Sequence, residues 1–248
     1  MKPMSRSVLF IADLHLSCEH PRLTRGFLSL LNTYKTQAID LYILGDWFNA
    51  WLDDQDDSEW LIPIVTALQD FTHSGNQIFA LVGNRDFVLG QGFLDRFGGV
   101  LLPESYLWQH QGKIWRLEHG DALCTDDIAY QRFKRIIRHP WLLGSLKRLP
   151  FHIKQRIAHI LRRKSRQRQT HKHYQPVDVN KAYVREQMQG VDVLLHGHTH
   201  RPEIEYFENG SVRIVLGDWR EETGEAQILW LDAQATQPAP IQLSTWHF

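Results

Sequence analysis

The sequence contains few cysteines and no long apolar run. Two cysteines in 248 residues, Cys18 and Cys124, are too few for a disulfide framework and are typical of a reducing cytoplasm. No stretch approaches the roughly 20 apolar residues that a membrane-spanning helix needs. The first six residues also lack the apolar core of a secretory signal. We therefore expect a cytoplasmic protein whose contact with any membrane is peripheral.

Acidic residues are missing from one fifty-residue block. Residues 128–177 contain 14 Lys and Arg and no Asp or Glu, although the whole chain has 28 residues of each charge and no net charge. A basic block within a neutral chain predicts an anionic partner at that surface.

The basic block is also partly apolar. Apolar residues at helical spacing predict one amphipathic helix over residues 128–137, ended by Pro140, and a second over residues 151–168. Trp141 and Leu142 lie between them. Apolar side chains among many bases favour an amphipathic lid that faces a lipid or an anionic membrane surface. Two alternatives are that the stripe packs on the core beneath solvated bases, and that the block lines a nucleic-acid groove.

Short polar clusters follow five apolar runs that are typical of buried strands. The runs cover residues 7–12, 41–44, 78–82, 113–117 and 191–195. The clusters that follow them are Asp13-Leu14-His15, Gly45-Asp46, Gly83-Asn84-Arg85-Asp86, His119-Gly120-Asp121 and Gly197-His198-Thr199-His200. One such Asp alone could cap a helix, and one such His alone could be structural. Because ligand sites in α/β sheets gather at the carboxyl ends of strands, the five clusters together predict one shared site.

The residue types in these clusters indicate a site for two divalent metal ions. Such a pair needs roughly eight donor atoms and a bridging carboxylate. Mixed imidazole and oxygen ligands suit Mn, Fe, Co or Zn better than Ca or Mg. The candidate metal ligands are Asp13, His15, Asp46, Asn84, His119, His198 and His200.

The order of the clusters resembles the calcineurin-like metallophosphoesterase superfamily, over residues 7 to about 220. The resemblance implies that a metal-bound hydroxide attacks a phosphorus atom in line. It implies that one metal ion is held by Asp13, His15, Asp46 and His200. It also implies that the other is held by the bridging Asp46 with Asn84, His119 and His198.

Arg85 departs from the general superfamily pattern. Most members have a His at this position, where it can protonate a leaving group. Arginine stays protonated and cannot donate a proton in this way, but it makes bidentate contacts with phosphate. The substitution favours a leaving group that needs little protonation, such as a phosphate of a diphosphate linkage.

Length and further motifs resemble one branch, the UDP-2,3-diacylglucosamine diphosphatases of lipid A synthesis. The matching runs include Cys124-Thr125-Asp126-Asp127, His139-Pro140-Trp141-Leu142, Lys164-Ser165, Asp178-Val179-Asn180 and His196 to Pro202. The resemblance implies cleavage of UDP-2,3-diacylglucosamine to UMP and 2,3-diacylglucosamine 1-phosphate. It also implies a preference for Mn²⁺ and a peripheral position on the cytoplasmic side of the inner membrane. The lid, an insertion of helices over residues 127–174, would hold the acyl chains.

The same resemblance implies which residues contact the substrate. They are Asn84, Arg85, Asp127, Ser165, Gln169, Lys172 and His198, of which Asn84, Arg85 and His198 are also the catalytic candidates. Gln169 takes the place of the usual Asn of the branch, so its amide is on a side chain one methylene longer.

The fold implied is α/β, a metallophosphoesterase-type β-sandwich flanked by helices (αββα), in one domain over residues 1–248 with the helical lid inserted. Helices are expected near residues 24–34, 58–72 and 180–188. Asn209-Gly210 predicts a hairpin in a second sheet. The acidic run over residues 53–59 is expected to be either a solvated loop or a segment that packs against the basic lid.

Two other functions remain open on the sequence. One is a phosphodiesterase for nucleotides or nucleic acid, and the other is a metal-stabilised module that binds anionic lipid without turnover. The zero net charge argues against long nucleic acid. The seven retained ligands argue against a degenerate site. We therefore expect a monomeric enzyme with a lipid substrate and no nucleic-acid partner.

Overall fold

A computed structural model of the chain describes residues 6–150, 153, 154, 156, 177–233 and 241–248. The helices are α1 (Pro21–Tyr34), α2 (Ile62–His73), α3 (Gln91–Leu94), α4 (Ile128–Ile137), α5 (Pro140–Arg148) and α6 (Lys181–Gln187), with a 3₁₀ turn at Glu59–Leu61. The first strands are β1 (Ser7–Ile11), β2 (Ile39–Leu44), β3 (Gln77–Leu81), β4 (Val100–Leu101), β5 (Ser105–His110) and β6 (Lys113–Glu118). The later strands are β7 (Val193–His196), β8 (Glu203–Tyr206), β9 (Val212–Val215), β10 (Trp219–Arg220), β11 (Glu225–Leu231) and β12 (Leu243–His247).

The strands form two sheets. The first has the order β10-β11-β1-β2-β3-β4, with β12 paired to β11, and its strands β1 to β4 are parallel. The second has the order β5-β6-β7-β9-β8, in which β6, β7 and β9 are parallel. Parallel neighbours bring the carboxyl ends of β1, β2 and β3 to one edge, and those of β6 and β7 to one edge of the other sheet.

Alternate residues of the strands belong to different cores. In β1, Leu9 and Ile11 pack with the helices α1 and α2, whereas Val8 and Phe10 pack against the second sheet. A third apolar cluster, which includes Val184 of α6, covers the outer face of the second sheet. The two-period alternation of strand side chains therefore produces four layers, helix-sheet-sheet-helix. This confirms the predicted αββα architecture.

Four of the predicted helices, over residues 24–34, 58–72, 128–137 and 180–188, are present, with differences at proline. Helix α4 has the predicted bounds, and the helix expected over residues 58–72 is divided into the 3₁₀ turn and α2. Pro140 ends one helix as expected, but it also occupies the first turn of α5, which sequence analysis did not predict. Proline is tolerated there because the amide at that position has no intrahelical acceptor. Most of the helix predicted over residues 151–168 lies outside the described residues.

The five strands that precede the polar clusters are all present, within two residues of their predicted bounds. The loop that contains Asn209-Gly210 connects the antiparallel strands β8 and β9, which confirms the predicted hairpin, and Gly210 has a φ of 83°. Four strands, β4, β5, β10 and β12, were not predicted from the sequence. Strands β4 and β10 are only two residues long, and β5 alternates half-buried and exposed residues.

Within the described residues, no helix is both long enough and apolar enough to cross a bilayer. Both cysteines are unpaired; Cys18 is exposed and Cys124 is buried.

Candidate metal centre

The predicted ligands lie in loops at the carboxyl ends of five strands. Asp13 follows β1, Asp46 follows β2 and Asn84 follows β3, whereas His119 and the two histidines His198 and His200 follow β6 and β7. Backbone hydrogen bonds join these loops. The amide of Asp13 donates to Gly45 O at 3.2 Å, and the amide of Gly197 donates to His119 O at 2.9 Å. Each of these bonds joins two loops of one sheet, and the amide of His198 joins the two sheets by donating to Asp13 Oδ2 at 2.8 Å.

Most of the predicted ligands have a left-handed backbone. Non-glycine residues rarely adopt positive φ, at a cost of about 1–2 kcal/mol each. Positive φ values of 54°, 51°, 48°, 70° and 55° occur at Asp13, His15, Asp46, His198 and His200. Such strain persists only where surrounding structure enforces it, and it is concentrated at functional sites.

Two glycines let the ligand loops approach closely. A Cβ atom on Gly83 would lie 2.2 Å from Asp46 Oδ1, and one on Gly197 would lie 2.3 Å from Asp13 Oδ2. Neither distance is possible for a real side chain. These two positions require glycine because the ligand carboxylates occupy the space of a Cβ atom.

One group of possible metal ligands consists of Asp13, His15 and His200, whose donor atoms lie within 4.8 Å of one another. His200 Nε2 is 3.3 Å from His15 Nε2 and 3.3 Å from Asp13 Oδ1. On its other side, His200 Nδ1 lies 3.4 Å from Asp218 Oδ2. A carboxylate behind a ligand imidazole orients the ring, so Asp218 is a supporting residue that sequence analysis missed.

A second group consists of Asp13, Asp46 and His119. His119 Nε2 lies 3.5 Å from Asp46 Oδ1 and 3.0 Å from Asn84 Oδ1, while His119 Nδ1 lies 3.0 Å from Leu44 O. If Nδ1 donates to the Leu44 carbonyl, a neutral ring directs the lone pair of Nε2 at two oxygen acceptors. A cation between these atoms would relieve that repulsion.

Buried atoms without partners also fit a bound cation. Asp13 Oδ1 and His15 Nδ1 are buried and make no hydrogen bond to any of the described residues. Buried polar atoms are normally satisfied, and an unmatched carboxylate oxygen beside imidazoles is suited to a metal ion. The donor set therefore fits divalent metal ions.

The electrostatics of the centre are strongly perturbed. Burial raises the pKa of Asp46 to about 7, against the opposing effect of His119. Burial lowers the pKa of His15 to about 3 and that of His198 to about 4. Burial would also lower the pKa of His200, but contacts with Asp13 and Asp218 raise it to about 10. Neutral imidazole is the form that binds metal, and His15 and His198 have it near neutral pH.

Arg85 lies at the edge of the centre. Its backbone amide donates to Asp46 Oδ1 at 2.8 Å, and its Nε lies 3.5 Å from Asp46 Oδ2. Its Nη1 donates to Asn49 Oδ1 at 2.6 Å. Asn49 therefore orients the guanidinium group; it lies three residues after Asp46, and no pattern in the sequence marks it.

Asp86 holds the loop that contains Asn84. Its buried carboxylate accepts hydrogen bonds from the amide of Gly83 at 2.7 Å and from the amide of Trp47 at 2.8 Å. Asp86 belongs to the third of the predicted polar clusters, but the sequence pattern assigned it no role. The structure assigns it a structural one, since it ties the loop after β3 to the loop after β2.

A further supporting contact lies behind His198. Arg213 Nε donates to His196 Nε2 at 3.0 Å, which leaves His196 Nδ1–H to donate to Gly197 O at 2.8 Å. The amide of His198 donates to Asp13 Oδ2 at 2.8 Å. These bonds fix the loop after β7 against the loop after β1.

The predicted substrate contacts are only partly described. Asn84, Arg85 and His198 surround the metal centre, but Ser165, Gln169 and Lys172 lie outside the described residues. Asp127 is the N-cap of α4, where its Oδ1 accepts a hydrogen bond from the amide of Tyr130 at 2.9 Å. Asp127 thus has a structural role, and its contact with substrate stays a prediction.

The acidic run after β2 is an ordered loop. Asp54 Oδ1 accepts hydrogen bonds from Trp51 Nε1 and from the amide of Gly90, both at 2.9 Å. Asp53 pairs with Lys154, whose side chain is buried. This ion pair supports packing of the run against the basic block.

Comparisons with known proteins agree with this geometry. Residues 6–202 match the calcineurin-like phosphoesterase family. A UDP-2,3-diacylglucosamine hydrolase of Pseudomonas fluorescens is 42% identical over 247 residues, which cover 96% of this chain and 98% of that protein. The protein of that name from Pseudomonas paraeruginosa is 40% identical, and the match covers 96% of this chain and 100% of that protein. The one from Histophilus somni is 39% identical, and the match covers 86% of this chain and 92% of that protein. The chain therefore belongs to the calcineurin-like phosphoesterases and, among them, to the family of the UDP-2,3-diacylglucosamine hydrolases.

Proposed function

We propose that this enzyme hydrolyses the diphosphate bond of UDP-2,3-diacylglucosamine and releases UMP and 2,3-diacylglucosamine 1-phosphate, a step in lipid A synthesis. The single observation that carries the proposal is the assembly of the predicted ligands at one edge of the sandwich, in a chain about 40% identical over nearly its full length to hydrolases of that name.

The centre is proposed to hold two divalent metal ions. Mixed imidazole and oxygen donors suit Mn, Fe, Co or Zn, and the resemblance to the family selects Mn²⁺ among them. One ion would be held by Asp13, His15, Asp46 and His200, and the other by Asp46, Asn84, His119 and His198. When bound, the ions lower the pKa of water and neutralise charge on the phosphoryl group. In the structure the two groups of possible ligands lie side by side and share Asp13, whereas Asp46, the proposed bridging residue, belongs to the second group only.

The chain's own residues orient the diphosphate. Arg85 is proposed to bind it through its guanidinium group, which Asn49 holds beside the centre. Asn84 and His198 flank the same space and would contact the phosphoryl oxygens. Because arginine does not release its proton, the reaction suits a leaving phosphate and not an alkoxide.

The lipid part of the substrate is proposed to contact the lid over residues 127–174. Its described part exposes the apolar side chains Ile128, Ile136 and Trp141, the last of which is 84% exposed. Apolar side chains beside many bases suit acyl chains and an anionic membrane surface. We propose a monomer that binds peripherally to the cytoplasmic side of the inner membrane, with Asp127, Ser165, Gln169 and Lys172 at the substrate.

The test is UMP release from UDP-2,3-diacylglucosamine by the purified protein, in Mn²⁺ and in EDTA. We expect release that EDTA abolishes and that Mn²⁺ restores. Asp46→Ala should lower turnover by at least about 10³-fold with an unchanged circular dichroism spectrum, since it removes the proposed bridging carboxylate.

A generic aryl phosphodiester serves as the control substrate. If the protein cleaves this compound with Mn²⁺ but releases no UMP, the lipid substrate is wrong and a nucleotide phosphodiesterase takes its place. If Asp46→Ala keeps full turnover, the metal assignment is wrong.

A further inference from the structure

The base of the lid is joined to the metal centre by a cluster of charges, of which Asp121, Lys134 and Arg138 are largely buried and Glu104 is half exposed. Lys134 of α4 lies 2.9 Å from Asp121 Oδ2 and 3.3 Å from Glu104 Oε2. Arg138, the residue that ends α4, pairs with Glu104 and lies 3.6 Å from Asp121. Tyr130 of the same helix donates its hydroxyl hydrogen to Asp121. Two bases of the basic block therefore face inward and pair with acids, instead of facing an anionic partner.

Arg138 makes a contact that the rest of the cluster does not. Its Nη2 donates to the carbonyl oxygen of Gly83 at 2.7 Å. Gly83 immediately precedes Asn84 and Arg85, a proposed metal ligand and the proposed diphosphate ligand. The side chain of Arg138 is only 11% exposed, so water competes weakly for this bond.

The backbone of the loop after β3 is otherwise held from the side of the first sheet, whereas the side chain of Asn84 meets His119 of the second sheet. Asp86 binds the amide of Gly83, and Asp46 binds the amide of Arg85 at 2.8 Å. Arg138 binds the opposite polar group of Gly83, its carbonyl, from the side of the lid. Among the described residues, Asp86 and Arg138 bind the two polar groups of Gly83, and together they fix the direction in which Asn84 leaves the strand.

The ion pairs alone do not account for Arg138. Asp121 already has two closer partners in Tyr130 and Lys134, so its charge is balanced without Arg138. A lysine at position 138 could pair with Glu104. One ammonium group is a single point charge, whereas the planar guanidinium group pairs with Glu104 through Nη1 and donates a hydrogen bond to Gly83 O from Nη2.

We infer that Arg138 is a positioning residue, which holds the Gly83 carbonyl so that Asn84 faces its metal ion and which fixes the end of α4 to the metal centre. The inference rests on the proposed metal function. It adds a residue of the lid to the support of the ligands, where the loss of a supporting hydrogen bond typically costs 10–100-fold in metal affinity or activity.

The experiment is calorimetric titration of the metal-free protein with Mn²⁺, together with kcat and KM for UMP release. Arg138→Met should weaken binding of one metal ion by about tenfold and lower kcat by about tenfold, with KM changed less than about twofold. Glu104→Gln removes the ion pair but keeps the bond to Gly83. Arg135→Met removes an exposed base of the same helix. Both should keep the metal affinity within about twofold.

Arg138→Lys covers the case in which Arg138→Met does not fold, since it keeps the charge beside Glu104 and should show the same loss of metal affinity. Wild-type affinity in a folded Arg138→Met or Arg138→Lys protein would overturn the inference. An equal loss in Glu104→Gln would assign the effect to the ion pair and also overturn it. A wild type that binds Mn²⁺ but releases no UMP would refute the proposed substrate and leave this test valid, because the titration needs no lipid.

Discussion

At the scale of single residues, the centre depends on backbone conformations that most side chains avoid. Asp13 and Asp46 combine full burial, positive φ and a carboxylate that faces histidines. Each of these features is unfavourable alone, at a cost of one to several kcal/mol. A bound cation would offset the electrostatic part, and the hydrogen bonds between loops maintain the strained backbone.

Gly83→Ala tests this close packing. The new Cβ atom would lie 2.2 Å from Asp46 Oδ1, so the carboxylate or the loop must move. We expect metal affinity to fall by about 10–100-fold in a titration with Mn²⁺.

Gly144→Ala is the matched control for that variant. Gly144 lies in α5, and a Cβ atom there would meet no atom within 4 Å. The substitution should leave metal affinity unchanged and raise stability by about 0.5–1 kcal/mol, because alanine favours a helix over glycine. Equal affinities in both variants would contradict the argument from packing.

At the scale of elements, the centre is a set of loops that follow parallel strands, and α4 closes one side of it. Helix α4 is joined to these loops at both ends. Asp127 caps its first turn, and Arg138, which follows its last residue, reaches Gly83 O. None of the residues of α4 is buried, so polar contacts determine its position, both at its ends and within it, where Tyr130 and Lys134 contact Asp121.

Asp127 allows the capping role and the substrate role to be separated. Asn is as good an N-cap as Asp, whereas Ala removes the cap at a cost of about 1 kcal/mol. Asp127→Ala should therefore speed hydrogen exchange of the α4 amides, and Asp127→Asn should not. We expect both variants to lower kcat/KM for UMP release by at least about tenfold, because both lose the carboxylate proposed to contact the substrate.

If Asp127→Asn released UMP at the wild-type rate, the carboxylate would act only as a helix cap. Hydrogen exchange of α1, which lies in the other helical layer, provides the internal reference for both variants.

At the scale of the whole molecule, charge is divided between two regions. The acids of the neutral chain lie outside residues 128–177, and some of the bases within that block pair with them. Lys134, Arg138 and Lys154 are used in this way. The remaining bases of the block, which include Arg162 and Arg163, are the ones that the membrane proposal requires.

Reversal of charge at Arg162 and Arg163, which lie outside the described residues, tests that proposal. Each base near an anionic bilayer contributes about 1 kcal/mol, so Arg162→Glu with Arg163→Glu should weaken sedimentation with anionic vesicles by at least about tenfold at low salt. Cleavage of a water-soluble phosphodiester should change less than about twofold.

Lys113→Glu with Lys181→Glu is the control pair, since both residues are exposed and lie outside the basic block. It changes the net charge equally and should leave vesicle binding intact. Equal weakening by both pairs would mean that net charge, and not the basic block, drives the association.

The sequence alone predicted the fold class and the candidate ligands of the metal centre. Runs of apolar residues marked β1, β2, β3, β6 and β7, and the polar clusters after them contained all the candidate ligands. This worked because strand periodicity and the position of ligand sites in α/β sheets are local properties of the chain. Strands β4 and β10 are only two residues long, and β5 and β12 have no fully buried residue, so none of the four has a long apolar run and all were missed.

Only the tertiary structure decided which side chains support the ligands. Asn49 meets Arg85, Asp218 meets His200, and Arg138 meets Gly83 across 36, 18 and 55 residues of sequence. Local pattern contains no information about such contacts, because they depend on how strands and helices from distant parts of the chain pack. The same packing turned Lys134 and Arg138 inward, although the composition of their block predicted bases that face an anionic partner.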